Sequence, residues 1–312
     1  MKYLLIPIVL LAGLRYIDAQ KTLGQHEEMA NTVCFSPDGA LLVSGSNDNK
    51  IKVFEVKSGK LLKEFTAHSV GVKDLVFHPD GSMLYSAGRD NLIRVWDCSN
   101  WKRVNQFEGH EKPVNALAIS PDGNFLFSGS DDLSIRKWDI ATGKAIDTWT
   151  GHNQRILSLN ISGNGEYLVS TSGDRMSKTT GNLIIWNLSD GTKAYYLEDL
   201  QYAIQSACLN ESGSLCLYGG NFSHLVLIKW SDNKIAAKKS ITSYGINSVI
   251  LDGLSAYAAG TFNGEVYQWP IGKEVTKDKS HDGNVNKIAL SPDGTKLASA
   301  GTDGKIVLRN LN

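Results

Sequence analysis

The sequence is poor in residues that would tie a small fold together and shows no excess of charge. Its 312 residues include only 4 Cys and 7 Pro, and 32 Lys and Arg balance 32 Asp and Glu. So few cysteines exclude a dense disulfide scaffold. The balanced charge gives no general electrostatic reason to expect nucleic acid or an anionic membrane as the main partner. A hydrophobic content of 42% is typical of a folded, soluble chain.

Long apolar runs are also scarce. The run near the N-terminus covers Tyr3 to Leu14, which is too short to span about 30 Å of hydrocarbon as a helix. A preceding Lys2 and a small residue at Ala19 are typical of a secretory signal. We therefore expect residues 1–19 to be a signal peptide, with the cut site left open, and residues 20–312 to be secreted or periplasmic. The alternative is a hydrophobic first strand of a cytoplasmic protein.

Two series of residues recur along the chain with one period. Turns of the type Ser36-Pro37-Asp38-Gly39 and their weaker copies end at Gly39, Gly81, Gly123, Gly165, Gly213, Gly253 and Gly294, spaced 40 to 48 residues apart. A second series follows them at Phe54, Trp96, Trp138, Trp186, Trp230, Trp269 and Arg309. Two independent series with one period indicate seven structural repeats.

Each repeat has the pattern of four short strands. In the third repeat, alternating segments at 114–119, 125–129, 135–140 and 144–149 are separated by turn residues. In the first turn Pro sets φ, Asp bonds its own backbone, and Gly leaves the turn without steric cost. We predict antiparallel meanders over the repeats 24–65, 66–107, 108–149, 150–200, 201–241, 242–280 and 281–312.

These features resemble those of the WD-repeat family. The resemblance rests on the Trp-Asp pairs that begin at Trp96 and Trp138, on the Gly-His pairs that end at His110 and His152, and on the Pro-Asp-Gly turns. It covers about residues 17–312 and implies an all-β, seven-bladed β-propeller of four-stranded antiparallel blades around a channel. Because the seventh repeat is short of one strand, we expect a strand near residues 18–23 to close the ring.

The resemblance also implies a buried hydrogen-bonded tetrad in each regular blade. The complete sets are His68, Ser86, Asp90 and Trp96 in blade two, and His110, Ser128, Asp132 and Trp138 in blade three. Blade four keeps His152, Ser170 and Trp186, with Asp174 displaced by an insertion. A Ser, a His and an Asp also suggest a catalytic triad, but a nucleophile needs an exposed elbow and an oxyanion hole. A set of residues that recurs in several blades is expected to have a structural role, so we predict no catalytic residue.

Other signs of an active site are missing from the sequence. It contains no glycine-rich phosphate loop, no Cys-x-x-Cys, no His-Glu-x-x-His and no calcium loop, so we expect no metal and no cofactor. The second positions of the inner strands should line the channel: Asn31, Lys73, Asn115, Leu157, Gln205, Asn247 and Asn286. Carboxamides there either bond a ligand or hold channel water. Cys208 and Cys216 flank a turn of blade five, and a disulfide between them stays open.

Departures from the repeat indicate where a partner binds. Blades five and six lack the His, Ser and Asp of the tetrad, and blade four has an enlarged loop at 173–181. The partner-binding candidates on this side are Arg155, Arg175, Tyr202, Phe222, Tyr244 and Phe262. Aromatic side chains with a basic rim are typical of protein-binding surfaces. Alternatively, Phe222 and Phe262 turn inward and replace the tetrad by apolar packing.

The sequence therefore predicts a non-enzymatic scaffold that presents a rigid propeller face to a protein or peptide partner. We expect a monomeric propeller within a complex, without nucleic acid and without stable membrane insertion. Two alternatives stay open. One is a small-molecule binder or hydrolase at the channel mouth that uses Lys73, Asp74 and the carboxamides. The other is an intracellular WD-repeat assembly scaffold in the cytoplasm.

Overall fold

A computed structural model describes residues 20–174, 181–200, 202–241, 245–253, 255–260 and 263–311. The predicted signal peptide at residues 1–19 lies outside the described residues. Within the described ranges, 28 strands form seven four-stranded antiparallel sheets, and one short 3₁₀ turn lies at Trp230–Asp232. The predicted fold class, an all-β propeller of seven blades, is confirmed.

The strands follow one another around the ring from the inside of each blade to its outside. Strand β1 (Lys21–Gln25) precedes the first blade. Blade one contains β2 (Ala30–Phe35), β3 (Leu41–Ser46), β4 (Lys50–Glu55) and β5 (Leu61–Thr66). Blade two contains β6 (Val72–Phe77), β7 (Met83–Gly88), β8 (Ile93–Asp97) and β9 (Lys102–Phe107). Blade three contains β10 (Val114–Ile119), β11 (Phe125–Ser130), β12 (Ile135–Asp139) and β13 (Lys144–Trp149).

The later blades repeat this order. Blade four contains β14 (Ile156–Ile161), β15 (Tyr167–Ser172), β16 (Gly181–Asn187) and β17 (Lys193–Leu200). Blade five contains β18 (Ile204–Leu209), β19 (Leu215–Gly220), β20 (Phe222–Lys229) and β21 (Lys234–Ser240). Blade six contains β22 (Ile246–Asp252), β23 (Ser255–Gly260), β24 (Glu265–Pro270) and β25 (Thr276–Lys279). Blade seven contains β26 (Val285–Leu290), β27 (Lys296–Gly301) and β28 (Lys305–Asn310).

Strand β1 completes blade seven. It pairs antiparallel with β28, with Lys21 opposite Leu308 and Gln25 opposite Lys305. The ring is thus closed by the N-terminal strand, as predicted. Closure covers the edge that β28 would otherwise expose to pairing with another chain.

The Pro-Asp-Gly turns show why the strands end where they do. In blade one the Ser36 hydroxyl donates a hydrogen bond of 2.6 Å to Asp38, and the Ala40 amide donates one of 3.0 Å to the same carboxylate oxygen. Gly39 follows at a φ of 71°, in the left-handed region that favours glycine. These turns lie at the end of the propeller where the inner strands finish, which we call the turn face. The opposite end, where the inner strands begin and the second strands finish, is the loop face.

The hydrophobic core is divided among the gaps between neighbouring blades. Seven apolar clusters each combine one face of a sheet with the facing side of the next sheet. Between blades one and two, for example, Val43 and Ile51 pack with Val72 and Leu84. The outer strands are mostly exposed, so burial is concentrated in the inner three strands of each blade.

Each inner strand contains a β-bulge that the sequence pattern did not reveal. The pairing of β6 with β7 shifts register between Val72 and Asp74, and the other six inner strands shift at the equivalent point. The bulged residue is therefore the second residue of every inner strand. A bulge re-aims its side chain, which places these seven residues at the channel mouth on the loop face.

The position of Trp230 in blade five differs from the one that the sequence indicates. Trp230 is not in the strand position of the other tryptophans, because Ile228 pairs with Cys216 where Trp96 pairs with Leu84 in blade two. The Trp230 indole lies beyond the strand and donates a hydrogen bond of 2.6 Å to the Gly213 carbonyl.

The disulfide left open in blade five is absent from the structure. Cys208 lies opposite Leu217, and Leu209 lies opposite Cys216, so the two cysteines are on opposite faces of the sheet. Both thiols are free and buried. A one-residue offset changes the face of a strand residue, which explains why sequence proximity across a turn was not sufficient.

Candidate functional site

The two complete tetrads are assembled as buried hydrogen-bonded chains. In blade two, His68 lies 2.8 Å from Asp90 through Nδ1 and 2.8 Å from the Ser86 hydroxyl through Nε2. The Trp96 indole donates to the same hydroxyl at 2.9 Å. Blade three has the same chain, formed by His110 with Asp132 at 2.7 Å, His110 with Ser128 at 2.6 Å, and Trp138 with Ser128 at 2.8 Å.

The donor and acceptor roles in this chain follow from the chemistry of its members. An indole N–H only donates, so the Ser86 oxygen accepts from Trp96 and its own proton points to His68 Nε2. A carboxylate only accepts, so His68 Nδ1 donates to Asp90. Every group is satisfied with a neutral imidazole. Burial lowers the pKa of His68, and the hydrogen bond with Asp90 opposes this only in part. Ser86 is a fully buried residue of β7, so its hydroxyl has no access to a substrate and the arrangement has a structural role.

Blade four builds its tetrad with a residue that the sequence interpretation missed. His152 Nδ1 hydrogen-bonds to the Asn182 side-chain oxygen, while His152 Nε2 bonds to Ser170 at 2.6 Å. Asp174 instead forms an ion pair of 2.6 Å with Arg155 on the loop face. Burial lowers the pKa of His152 to about 4. The insertion moved the aspartate away, and a carboxamide at the start of β16 took its place.

Blade five replaces its tetrad by aromatic packing. Tyr218 stands on β19 at the position of the tetrad Ser, and Phe222 follows β19 at the position of the tetrad Asp. Their rings pack edge to face with centroids 6.2 Å apart. Phe222 is half buried, so part of its surface is used inside the blade. Phe222 thus takes part in apolar packing where other blades have the tetrad, which is the alternative to a fully exposed contact residue.

The other partner-binding candidates lie on the loop face or outside the described residues. The Tyr202 ring is 42% exposed, just before β18. Arg155 precedes β14 and holds Asp174. Arg175, Tyr244 and Phe262 lie outside the described residues, so only one aromatic candidate, Tyr202, is described as an exposed side chain on this face.

The channel carboxamides act as latches between blades. Asn31 donates a hydrogen bond of 2.7 Å to the carbonyl of Val72, the first residue of the next inner strand. The same bond links Asn115 to Ile156 at 3.0 Å, Asn247 to Val285 at 2.8 Å, and Asn286 to Ala30 at 2.8 Å. These amides therefore bind blades to one another. The sequence pattern predicts that they bond a ligand or hold channel water, and that prediction did not include this role. At two of the other channel positions, Lys73 and Leu157 stand in place of the carboxamide.

Asp74 is engaged within the channel wall. One carboxylate oxygen accepts from the Thr32 hydroxyl at 2.9 Å, and the other accepts from the Leu117 amide at 3.0 Å. Lys287 of blade seven lies 3.5 Å from the first oxygen. The carboxylate ties blades one, two, three and seven together, which makes it a poor candidate for the base of a hydrolase.

A small cavity of about 230 Å³ opens at the channel mouth on the loop face. It is lined by Asn31, Lys73, Arg89, Asn115, Arg155, Leu157 and Asn286. Arg89 was not singled out from the sequence. A signal was available, since the residue after the second strand is Asn47 in blade one and Asp131 in blade three.

The described residues contain no set of three His, Cys, Asp or Glu side chains placed to hold a metal ion. In the same ranges, no helix is long and apolar enough to cross a membrane.

Two protein-family profiles match the chain. The profile described as WDR36/Utp21 second beta-propeller domain matches residues 25–178. The profile described as WD40, the WD domain or G-beta repeat, matches residues 272–310.

Three curated proteins are similar over parts of the chain. A periodic tryptophan protein 2 homolog of Dictyostelium discoideum is 26% identical over 124 residues, which are 38% of this chain and 13% of that protein. A WD repeat domain-containing protein 83 homolog of the same organism is 35% identical over 60 residues, 19% of this chain and 18% of that protein. Eukaryotic translation initiation factor 3 subunit I of Bombyx mori is 23% identical over 148 residues, 42% of this chain and 45% of that protein. The matches thus span less than half the length of each relative.

Proposed function

The chain belongs to the WD-repeat β-propellers, and from that premise we propose that it is a non-enzymatic scaffold that binds protein partners within an intracellular assembly. One observation carries the proposal: the groups that would form a catalytic triad are buried and bonded to one another inside the blades. Ser86, Ser128 and Ser170 are fully buried residues of the second strands β7, β11 and β15. The residues available to a partner are therefore those of the surface loops. Loops held by a rigid scaffold commonly carry the residues that bind a partner.

The intracellular location is supported by the relatives. One of them carries the name of a translation initiation factor subunit, so it is by name part of a multi-subunit factor. Export was predicted from residues 1–19, which are outside the described residues, and the names of the relatives give it no support. The N-terminal sequence of the protein recovered from cell fractions tests the location. Retention of Met1 or Lys2 in the cytosol is expected, whereas a chain that begins near Gln20 outside the cytoplasm would overturn it.

The loop face is the contact surface that we propose. Tyr202 offers an exposed aromatic ring, and Arg155 lies on the same face at the channel mouth. A tyrosine ring supplies a large contact area at low cost in conformational entropy, which favours it as an anchor. Arg175, Tyr244 and Phe262 remain predictions for this surface, and Phe222 contributes the part of its ring that blade five leaves uncovered.

Affinity purification of the full chain from its own cells tests the function. We expect a complex that contains at least one other protein in stoichiometric amount and that can be rebuilt from purified components. Tyr202→Ala should weaken the rebuilt complex by about tenfold, since truncation of an aromatic anchor costs about 1–2 kcal/mol. Ile235→Ala is the matched control, because Ile235 is an exposed apolar residue on outer strand β21. A chain recovered only as a free monomer, or one that turns over a substrate, would contradict the proposal.

A further inference from the structure

In three blades, two loop-face positions form a side-chain pair. The second residue of the inner strand donates a hydrogen bond to the residue that follows the second strand. The pairs are Asn31 with Asn47 at 2.7 Å, Asn115 with Asp131 at 2.6 Å, and Gln205 with Asn221 at 3.0 Å. In each pair a carboxamide donor meets a neutral or acidic acceptor.

Blade two places two cations at these positions. Lys73 stands where blade one has Asn31, and Arg89 stands where blade one has Asn47. Lysine and arginine side chains only donate, so they cannot bond to each other as the carboxamides do. Like charges at neighbouring positions also repel. The rest of blade two is regular and has a complete tetrad, so general decay of the repeat does not explain the change.

A third cation joins them from blade four. Arg155 lines the same cavity of about 230 Å³ as Lys73 and Arg89. Its ion pair with Asp174 neutralises one charge, and the four other lining residues are three asparagines and Leu157. The described lining thus contains three cations and no acidic side chain. Asp174 pairs with Arg155 and Asp131 bonds to Asn115, so three cations and two carboxylates meet around this channel mouth.

From this arrangement we propose that Lys73, Arg89 and Arg155 form an anion-binding site that receives a carboxylate-rich segment of a protein partner. The proposal rests on the scaffold function and adds the chemistry of the partner. The cavity of about 230 Å³ is the place where the segment would insert its carboxylates. Arg89 is exposed and Arg155 is partly exposed, so an incoming segment can reach both guanidinium groups. Guanidinium groups bind carboxylates through two parallel hydrogen bonds.

A peptide is favoured over nucleic acid because the cations converge on one small cavity. Nucleic-acid binding relies on a basic stripe that follows several phosphates. The balance of 32 basic and 32 acidic residues shows no general excess of positive charge. If single-stranded RNA displaced the acidic peptide and bound more tightly, a nucleic-acid site would replace the proposed peptide site.

The site is tested with the full chain and a fluorescein-labelled oligoglutamate peptide, with fluorescence anisotropy as the measurement. The oligoglutamine peptide of equal length is the uncharged control. We expect the glutamate peptide to bind and the glutamine peptide not to bind, and we expect added salt to weaken binding because it screens exposed charges. Similar binding of both peptides would overturn the proposal.

A double variant separates loss of the site from loss of the fold. Lys73→Asn with Arg89→Asn recreates the Asn31–Asn47 pair of blade one, so it should fold at least as stably as the original chain. We expect it to lower the affinity for oligoglutamate by about tenfold or more, as for removal of two charge contacts. Lys102→Asn with Arg103→Asn removes the same two residue types from exposed outer strand β9 of the same blade and should change affinity by less than about twofold.

The possible results decide between the proposals. Equal losses in the two double variants, or tighter binding of RNA with the same dependence on Lys73 and Arg89, would overturn the site. If the stoichiometric partner still binds the Lys73→Asn, Arg89→Asn protein normally, the scaffold function stands and the site is wrong. If the peptide binds as expected but no partner complex exists, the site stands and the scaffold function falls.

Discussion

His152 and Asn182 are hydrogen-bonded in blade four, so a neutral carboxamide holds the place that an aspartate holds in blades two and three. Asn182 also accepts from the Ser172 hydroxyl at 2.5 Å and donates to Asn153 at 3.3 Å. The Ser172 hydroxyl and the Asn153 side chain thus hold in place the carboxamide that replaces the displaced aspartate. Blade four keeps its histidine without a buried charge.

Asn182→Asp should raise the pKa of His152 from about 4, because a carboxylate stabilises the imidazolium form. Histidine NMR titration measures this directly. Asp174→Asn is the control, since Asp174 pairs with Arg155 and should leave the His152 pKa unchanged. A shift caused by the Asp174 variant and not by the Asn182 variant would show that the displaced aspartate still serves the histidine.

Stability should fall as the solution is acidified from about pH 6.5 towards pH 4. Burial lowers the pKa of His152 to about 4, and burial also lowers the pKa of His26, His68 and His281. In the unfolded chain these histidines take up protons below about pH 6.5, so protonation favours unfolding in this window. The single proton taken up by His152 sets a slope of at most about 1.4 kcal/mol per pH unit, in the middle of this window. Urea unfolding at several pH values measures the slope, and a free energy of unfolding that stays constant or rises on acidification would contradict it.

Asn286→Ala should destabilise the ring by about 1–2 kcal/mol, because it removes the latch to the Ala30 carbonyl between blades seven and one. Asn124→Ala is the matched control. The Asn124 side-chain amide donates to Asp122 at 2.8 Å within its own turn, and its loss should cost less than about 0.5 kcal/mol. Urea unfolding of both variants checks the difference, and equal costs would mean that the latch adds nothing beyond a local turn bond.

Gly24→Val should destabilise the closure by about 1–3 kcal/mol through overpacking. A Cβ atom at Gly24 would lie 2.8 Å from Cε1 of the Phe54 ring, which is fully buried in blade one. Thr22→Val on the same strand, at a position opposite Val307, is the control and should be nearly neutral. Thermal unfolding compares the two, and a neutral Gly24 variant would mean that β1 can move away from blade one at little cost.

The four cysteines should be found as free thiols. Cys208 and Cys216 face opposite sides of their blade, and burial raises the pKa of Cys208 to about 12. Both should therefore be unreactive towards a thiol reagent in the native protein and reactive in urea, since the thiolate is the reacting form. Mass spectrometry after labelling distinguishes them, and a Cys208–Cys216 disulfide in the unreduced protein would contradict the strand register.

Much of the architecture could be predicted from the sequence because its signals are local. A Pro-Asp-Gly turn such as Ser36 to Gly39 fixes a chain reversal through the chemistry of its own residues, and seven turns at one period leave few folds to consider. The number of blades, the order of their strands and closure by the N-terminal strand follow from this pattern. The two complete tetrads could also be located, since each member keeps its spacing within one repeat.

The remaining features depend on contacts between strands. The bulge at Lys73 is a property of pairing register, which alternation along one strand does not encode. Asn182 was missed because the insertion changed its spacing from His152. Arg89 was missed because a charged loop residue is usually solvated, and its position gains meaning only when it is compared with the acceptor at Asn47 in the neighbouring blade.

The pairing of β1 with β28 also determines how the ring responds to a mechanical load. Lys21 faces Leu308, so residues 20 and 311 leave the sheet at the same end of the ladder, on the turn face. Tension between those two points would strain the hydrogen bonds one after another, like a zipper, instead of loading them all together in shear. The ring should therefore open first at its seam, between β1 and β28.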